Sequence, residues 1–205
     1  MNKARTAARQ ILSEYVEIPV ASVLAKMGIS PNAITIAGLI GAGISGYIIA
    51  VGNLWVGGIV MLVAGILDLF DGALARATGR ASRFGALLDS VVDRLSEIVV
   101  LLGLLIYYLG ASSSTGVVLV YLAVTCSVMV SYLRARSEGL GIENRGGIMT
   151  RPERVALLGI GLIVAHWVPF FMLAVLGLIA ALALFTTGQR LFHTWRSLRN
   201  EEGQT

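Results

Sequence analysis

The chain has 205 residues, of which 56% are hydrophobic and only 14% are charged, and its formal net charge is +4. Apolar runs of about 20 residues, the length that crosses a bilayer, recur along it. This composition excludes a water-soluble globular domain, and the modest positive charge indicates anchoring at a membrane surface rather than a nucleic-acid partner. We therefore expect an all-α integral membrane protein.

The first predicted element is a helix over residues 4–26, divided by Pro19. Apolar and charged side chains alternate there at helical spacing, which is typical of an amphipathic helix lying in the membrane interface. Glycine, proline, serine and charged clusters then separate six predicted spans. These spans cover residues 31–51, 54–78, 82–109, 115–138, 152–168 and 170–190. The predicted organisation is a single membrane domain with an interfacial region at 1–30, a six-helix bundle at 31–190 and a tail at 191–205.

Basic residues are distributed unevenly among the connections between these spans. The connections near residue 52, at 110–115 and at 166–170 contain no Lys or Arg. All 16 basic residues lie at the N-terminus, in or beside the loops 76–83 and 134–154, or toward the C-terminus. Because cytoplasmic loops carry an excess of Lys and Arg, we expect a multi-pass protein of the cell membrane with both termini and both basic loops in the cytoplasm.

Four aspartates lie within the second and third predicted spans, beside the first basic loop. Asp68 and Asp71 are three residues apart, so they share one face of a helix. Asp89 and Asp93 are four residues apart and share a face of the next helix. The sequence therefore presents two pairs of carboxylates on two consecutive helices.

A tight turn between these helices brings the two pairs to matching depth. Gly79 can end the first helix, and Ser82 can cap the second. At about 1.5 Å per residue from that turn, the inner aspartates lie about 10 to 12 Å down their helices and the outer aspartates about 16 Å. The four carboxylates are therefore expected to converge.

Converging carboxylates in a region of low dielectric constant are costly unless cations neutralise them. Oxygen ligands with neither His nor Cys beside them select Mg²⁺ or Mn²⁺, and four carboxylates could hold two ions. The alternative is a buried ion-pair network with the arginines at positions 76 to 94, which accounts less well for four aspartates in matched register. The expected metal ligands are Asp68, Asp71, Asp89 and Asp93.

The spacing over residues 68–93 reads D-x2-D-G-x2-A-R-x8-G-x3-D-x3-D. This pattern resembles the signature of the CDP-alcohol phosphatidyltransferase family at all eight of its fixed positions. The resemblance implies six transmembrane helices, an N-terminal interfacial helix and a homodimer. It also implies a cytoplasm-facing site that binds CDP-diacylglycerol with divalent metal ions.

The resemblance implies a reaction as well. In this family an alcohol attacks the β-phosphorus of the CDP-lipid and CMP leaves, with Asp93 expected as general base or shared metal ligand. The stretch SPNAITIAG is similar to the family's N-terminal element, which is expected near the cytidine. The residues that the resemblance places at the CDP-lipid are Pro31, Thr35, Asp68, Gly72, Ala75, Arg76, Ser82 and Gly85.

The acceptor alcohol has to be inferred from the later spans. Five arginines lie at their cytoplasmic ends, namely Arg134, Arg136, Arg151, Arg154 and Arg190. Since Arg binds phosphate in a bidentate manner, several near one site favour a phosphorylated acceptor, although such residues also contact lipid headgroups. The elements SYLRARSE, GG followed by RPER, and QRL resemble the actinobacterial phosphatidylinositol phosphate synthases, with Arg134 where those enzymes tend to have Lys. This resemblance implies inositol 1-phosphate as acceptor, its phosphate bound by Arg134, Arg136, Arg154 and Arg190.

Two other functions remain open at this point. A phosphatidylglycerophosphate synthase, which uses glycerol 3-phosphate, would also need arginines for its acceptor. A Mg²⁺ transporter or channel could use intramembrane carboxylates, but it requires them along a path through the bilayer, and only Glu97 lies deeper than the aspartates. The sequence does not decide between a diacyl and an ether lipid tail.

Overall fold

The computed structural model describes residues 18–144 and 146–202, and every regular element within them is an α-helix. The predicted helix over 4–26 falls largely outside the described residues, which begin with its last part. In chain order the helices are α1 (Ile18–Lys26), α2 (Pro31–Ala50), α3 (Leu54–Ala77), α4 (Arg83–Gly110), α5 (Ser114–Gly139), α6 (Arg151–Val164) and α7 (Pro169–Glu202). The prediction of an all-α protein is confirmed.

Four of the described helices are long and apolar enough to cross a membrane, namely α2, α3, α5 and α7. Helix α4 has 28 residues, but it also carries charged residues of the candidate site. Helix α6 has only 14 residues, fewer than the roughly 20 that span a bilayer. Helix α7 continues past the predicted span end at residue 190 as far as Glu202. The structure thus fits an integral membrane protein with four candidate spans.

The turn between α3 and α4 has the features that its sequence predicts. Gly79 adopts a φ of +64°, which glycine reaches without a Cβ penalty. The Ser82 hydroxyl accepts a hydrogen bond from the backbone N–H of Gly85 at 3.0 Å, so it caps α4. The chain reverses direction here, which brings both pairs of aspartates toward one end of the protein.

Helix α2 packs against both α3 and α4, and glycines allow this close approach. A Cβ on Gly103 of α4 would lie 2.1 Å from the Gly46 carbonyl oxygen. On the other side of α2, a Cβ on Gly41 would lie 2.8 Å from the Ala64 Cβ. The small residues of α2 therefore form a helix-packing surface. This packing fixes the position of the N-terminal half of α2 beside the aspartates.

The main apolar core lies at the end of the bundle away from the turn at 78–82. It joins α2 through α7 and includes Leu104, Leu162 and Leu176, each with no exposed surface. Helix α5 packs on α7, and α6 packs on α3 and α7. A smaller apolar cluster holds α1 against α2 and α3. The polar end of the bundle is thus supported from below by a packed core.

Candidate active site

Three of the four predicted metal ligands converge. Asp68, Asp71 and Asp89 each offer a carboxylate oxygen, and these oxygens lie within 4.8 Å of one another. Asp68 and Asp71 are buried and Asp89 is half-buried. Because the donors are oxygens only and the carboxylates would otherwise repel one another, the cluster fits a hard divalent cation such as Mg²⁺ or Mn²⁺.

Helix α2 orients this cluster from one side. The buried Thr35 hydroxyl donates a hydrogen bond to Asp71 Oδ2 at 2.6 Å. A Cβ on Gly38, one turn further along α2, would lie 3.5 Å from Asp68 Oδ1. The two α3 carboxylates are therefore held against α2, and Thr35 fixes the rotation of one of them.

Asp93 lies one turn beyond Asp89 on α4, and an arginine links it to the carboxylate cluster. Arg151, the first residue of α6, places Nη1 2.5 Å from Asp68 Oδ2 and 2.7 Å from Asp93 Oδ1. The sequence places Arg151 among the arginines of the second basic loop and predicts no role for it at the metal site. No local signal could have predicted one, because the contact joins helices that are distant in sequence.

A cleft of about 210 Å³ opens beside Asp71 and Asp89, between the N-terminal ends of α2 and α4 and the C-terminal end of α3. Seven of the eight residues predicted to contact the CDP-lipid line it. They are Pro31, Thr35, Gly72, Ala75, Arg76, Ser82 and Gly85, joined by Asn32, Arg80, Ala81 and Ala86. The eighth, Asp68, lines a separate, much smaller cavity of about 20 Å³ together with Glu97 and Arg151.

Small side chains along α3 and α4 leave the cleft open. Gly72, Ala75 and Gly85 leave the backbone of α3 and α4 accessible, and a Cβ on Gly85 would lie 3.1 Å from the Ser82 hydroxyl. Arg76 and Arg80 supply positive charge at the same rim. The cleft can therefore admit a flat, anionic ligand next to the carboxylate cluster.

Of the four arginines predicted at the acceptor phosphate, Arg154 is the most buried, with 2% of its surface exposed. Its Nε and Nη2 donate to the two carboxylate oxygens of Glu97, both at 2.7 Å. Its Nη1 donates to the Met149 carbonyl at 3.3 Å. All three nitrogens are thus engaged within the protein, and the pair joins α6 to α4.

Arg190 is also buried and fastens the segment before α6 to α7. Its Nε donates to the Gly146 carbonyl at 2.9 Å and its Nη1 to the Val130 carbonyl at 2.5 Å. Asn144 reinforces the attachment by donating to the Arg190 carbonyl at 3.0 Å. Nη2 donates none of these bonds within the described residues, so Arg190 can offer it to a ligand.

Arg134 and Arg136 lie exposed near the end of α5. Arg134 Nε pairs with Glu138 Oε1 at 2.9 Å on the surface. Arg134 and Arg154 both lie within electrostatic range of Arg190. The structure thus brings these three arginines to one region, with Arg136 at the same helix end.

The family model for CDP-alcohol phosphatidyltransferases matches residues 28–189, which include α2 through α6 and most of α7. The chain belongs to this family. CDP-alcohol phosphatidyltransferases are enzymes, so the carboxylate cluster and cleft belong to a membrane transferase of phospholipid biosynthesis. The match also contains the carboxylate cluster, Asp93, Arg151 and every residue that lines the cleft.

Individual CDP-alcohol phosphatidyltransferases are similar over most of the chain. An archaetidylinositol phosphate synthase of Methanothermobacter thermautotrophicus is 34% identical over 192 residues, which cover 93% of this chain and 94% of that protein. A phosphatidylinositol phosphate synthase of Mycobacterium tuberculosis is 34% identical over 186 residues, with 87% and 85% covered.

Solved structures of this family show the same fold. The crystal structure of the M. tuberculosis phosphatidylinositol phosphate synthase with CDP-DAG bound matches with a TM-score of 0.81 and 30% identity, over 88% of this chain and 94% of that one. The same enzyme in complex with manganese and citrate matches with a TM-score of 0.80 and 30% identity, over 88% and 89% of the two chains.

Proposed function

We propose that this protein transfers the phosphatidyl group of CDP-diacylglycerol to inositol 1-phosphate, with release of CMP and formation of phosphatidylinositol phosphate. The observation that carries the proposal is the convergence of Asp68, Asp71 and Asp89, two of which line the cleft. The acceptor is supported by the names of the similar synthases, which make inositol-phosphate lipids. An archaeal and a bacterial relative are each 34% identical to this chain.

The cleft is proposed as the site of the CDP group. Gly72, Ala75 and Gly85 leave space for the nucleotide, with Pro31 and Thr35 at the cytidine end. Asp68, Asp71, Asp89 and Asp93 would hold two Mg²⁺ or Mn²⁺ ions, which would neutralise the pyrophosphate and make CMP a better leaving group. The related enzyme crystallised with manganese supports this assignment. Thr35 keeps the Asp71 carboxylate turned toward the cluster.

Asp93 is proposed as the general base. Its Oδ1 lies 2.7 Å from Arg151 Nη1, which also contacts Asp68, and its side chain keeps 23% of its surface exposed. A carboxylate there can take the proton of the attacking hydroxyl. The deeper Glu97 is fully committed to Arg154 and is not suited to this role.

We propose that the four acceptor arginines have different roles. Arg134, Arg136 and the Nη2 of Arg190 would contact the acceptor phosphate, because these groups are exposed or not committed to protein carbonyls. Arg154 would act on the acceptor indirectly, since Glu97 and Met149 engage its nitrogens. It holds the start of α6 in place beside the site.

The membrane arrangement is part of the proposal. We place six membrane-embedded helices, α2 to α7, with α1 ending an amphipathic interfacial helix and with the site and both termini at the cytoplasmic face of the cell membrane. The short α6 would be embedded among its neighbours, since Leu158 and Leu162 are buried in the core. A homodimer is proposed from the family resemblance.

An acceptor comparison tests the function. Purified protein in detergent receives CDP-diacylglycerol and Mg²⁺, and CMP release is measured in parallel with inositol 1-phosphate, glycerol 3-phosphate, free inositol, serine and no acceptor. The proposal expects the fastest release with inositol 1-phosphate. Preference for glycerol 3-phosphate would make the enzyme a phosphatidylglycerophosphate synthase, and release without acceptor would indicate a pyrophosphate hydrolase.

A further inference from the structure

Arg151 occupies a position at the carboxylate site that is suited to a cation. A single nitrogen, Nη1, lies 2.5 Å from Asp68 Oδ2 and 2.7 Å from Asp93 Oδ1. An Arg–carboxylate pair usually places two nitrogens on the two oxygens of one carboxylate. Here one nitrogen bridges oxygens of two carboxylates, which is the arrangement of a bridging metal ion rather than of a fork-shaped pair.

The neighbouring ion pair shows what a completed contact looks like in this protein. Arg154 lies three residues after Arg151 on the same face of α6, and Glu97 lies four residues after Asp93 on the same face of α4. The Glu97–Arg154 pair is bidentate, with both distances at 2.7 Å. It fixes the first turn of α6 against α4, so the Arg151 side chain is presented to Asp93 and Asp68.

The Arg151 contact is incomplete by comparison. Among the residues that the structure describes, its buried Nε has no hydrogen-bond partner and Asp93 Oδ1 has no well-aligned one. A buried donor without a partner costs free energy. Losing the contact of Arg151 with Asp68 and Asp93 therefore costs less free energy than losing the Glu97–Arg154 pair.

We propose that Arg151 is a built-in counter-cation that holds Asp68 and Asp93 in the metal-free enzyme and that one of the divalent cations displaces. When all four aspartates are ionised they carry four negative charges, and Arg151 neutralises only one of them. A divalent ion binding to Asp68 and Asp93 would meet the guanidinium at the same oxygens, so the two cations compete. This inference rests on the metal site of the proposed function.

The test is a manganese titration of the full-length, metal-stripped protein in detergent, with free Mn²⁺ followed by electron paramagnetic resonance. We expect wild type to bind one ion more tightly than a second. Arg151→Gln should tighten the weaker site by about tenfold or more, because a competing unit charge is removed from contact distance. Arg151→Lys keeps the charge and should stay within about twofold of wild type. Arg199→Gln, at an exposed position beside Trp195, is the control for bulk charge and should change nothing.

The outcomes separate this inference from the function on which it rests. If wild type binds two Mn²⁺ ions and Arg151→Gln leaves the weaker affinity unchanged or lowers it, the counter-cation role is overturned while the metal site stands. If wild type binds no Mn²⁺, both fail together. If Arg151→Gln does not fold without metal, the folded Arg151→Lys variant decides the question. Weaker Mn²⁺ binding than wild type at both sites would then overturn the counter-cation role, because a Lys keeps the charge but cannot form a structural fork.

Discussion

Removal of the Glu97 carboxylate would leave the Arg154 guanidinium buried without a counter-charge. Arg154 is 2% exposed and Glu97 is 7% exposed, so solvent cannot replace the lost partner. Breaking a buried pair from one side costs about 3 to 5 kcal/mol. For a chain of this length each kcal/mol lowers the melting temperature by about 2 to 4 °C. We therefore expect Glu97→Ala to melt about 6 to 20 °C below wild type.

The assay is thermal melting of the purified protein in detergent, followed by circular dichroism. Replacing both partners, as Glu97→Met with Arg154→Met, removes the charges together and should recover most of the loss, since buried pairs are often replaceable by apolar residues. Glu138→Ala is the matched control, because its pair with Arg134 is 45% exposed on the Glu side and is worth at most about 1 kcal/mol. If Glu97→Ala has the same melting temperature as the Glu138→Ala control, the description of Glu97 and Arg154 as a buried pair is refuted.

Three further predictions concern the reaction. Asp93→Asn should lower CMP release about 10²- to 10⁴-fold with an unchanged circular dichroism spectrum, as expected for loss of a general base; near-wild-type release would rule out that role. Asp71→Ala should lose metal-dependent binding of CDP-diacylglycerol, measured by calorimetry, and a wild-type interaction insensitive to chelator would contradict the metal site. Arg134→Ala should raise the Michaelis constant for inositol 1-phosphate about tenfold or more and that for CDP-diacylglycerol little; the reverse ranking would count against it.

The features that local sequence controls were predictable. The α3–α4 turn needs a residue that tolerates positive φ and a residue that caps a helix, and Gly79 and Ser82 supply both within four positions. Helical periodicity then fixes which aspartates share a face. This is why the convergence of Asp68, Asp71 and Asp89 could be anticipated from spacing alone.

The contacts of α6 with α3 and α4 could not be anticipated in the same way. Arg151 lies 83 residues from Asp68, and Arg154 lies 57 residues from Glu97. Spacing within a helix says nothing about which distant helix packs beside it, so the sequence predicts Arg154 at the acceptor phosphate with the other arginines. Its burial against Glu97 gives it a different proposed role.

Helix ends show a similar limit. The predicted span 152–168 was drawn from hydropathy, but α6 ends at Val164 and the chain turns before α7 begins at Pro169. Apolar composition continues through this turn, so hydropathy could not find the boundary. At the other end of α7 the charged residues after 190 remain helical, because charge in the last turns does not itself end a helix.

The central claim is that divalent metal binds at the three-carboxylate cluster beside the cleft. Its most direct test is an anomalous-scattering map of crystals grown with Mn²⁺ and CDP-diacylglycerol. We expect a peak about 2.0 to 2.3 Å from oxygens of Asp68, Asp71 and Asp89, with the pyrophosphate in the adjoining cleft. A map with CDP-diacylglycerol bound but no manganese peak at these aspartates would contradict the account.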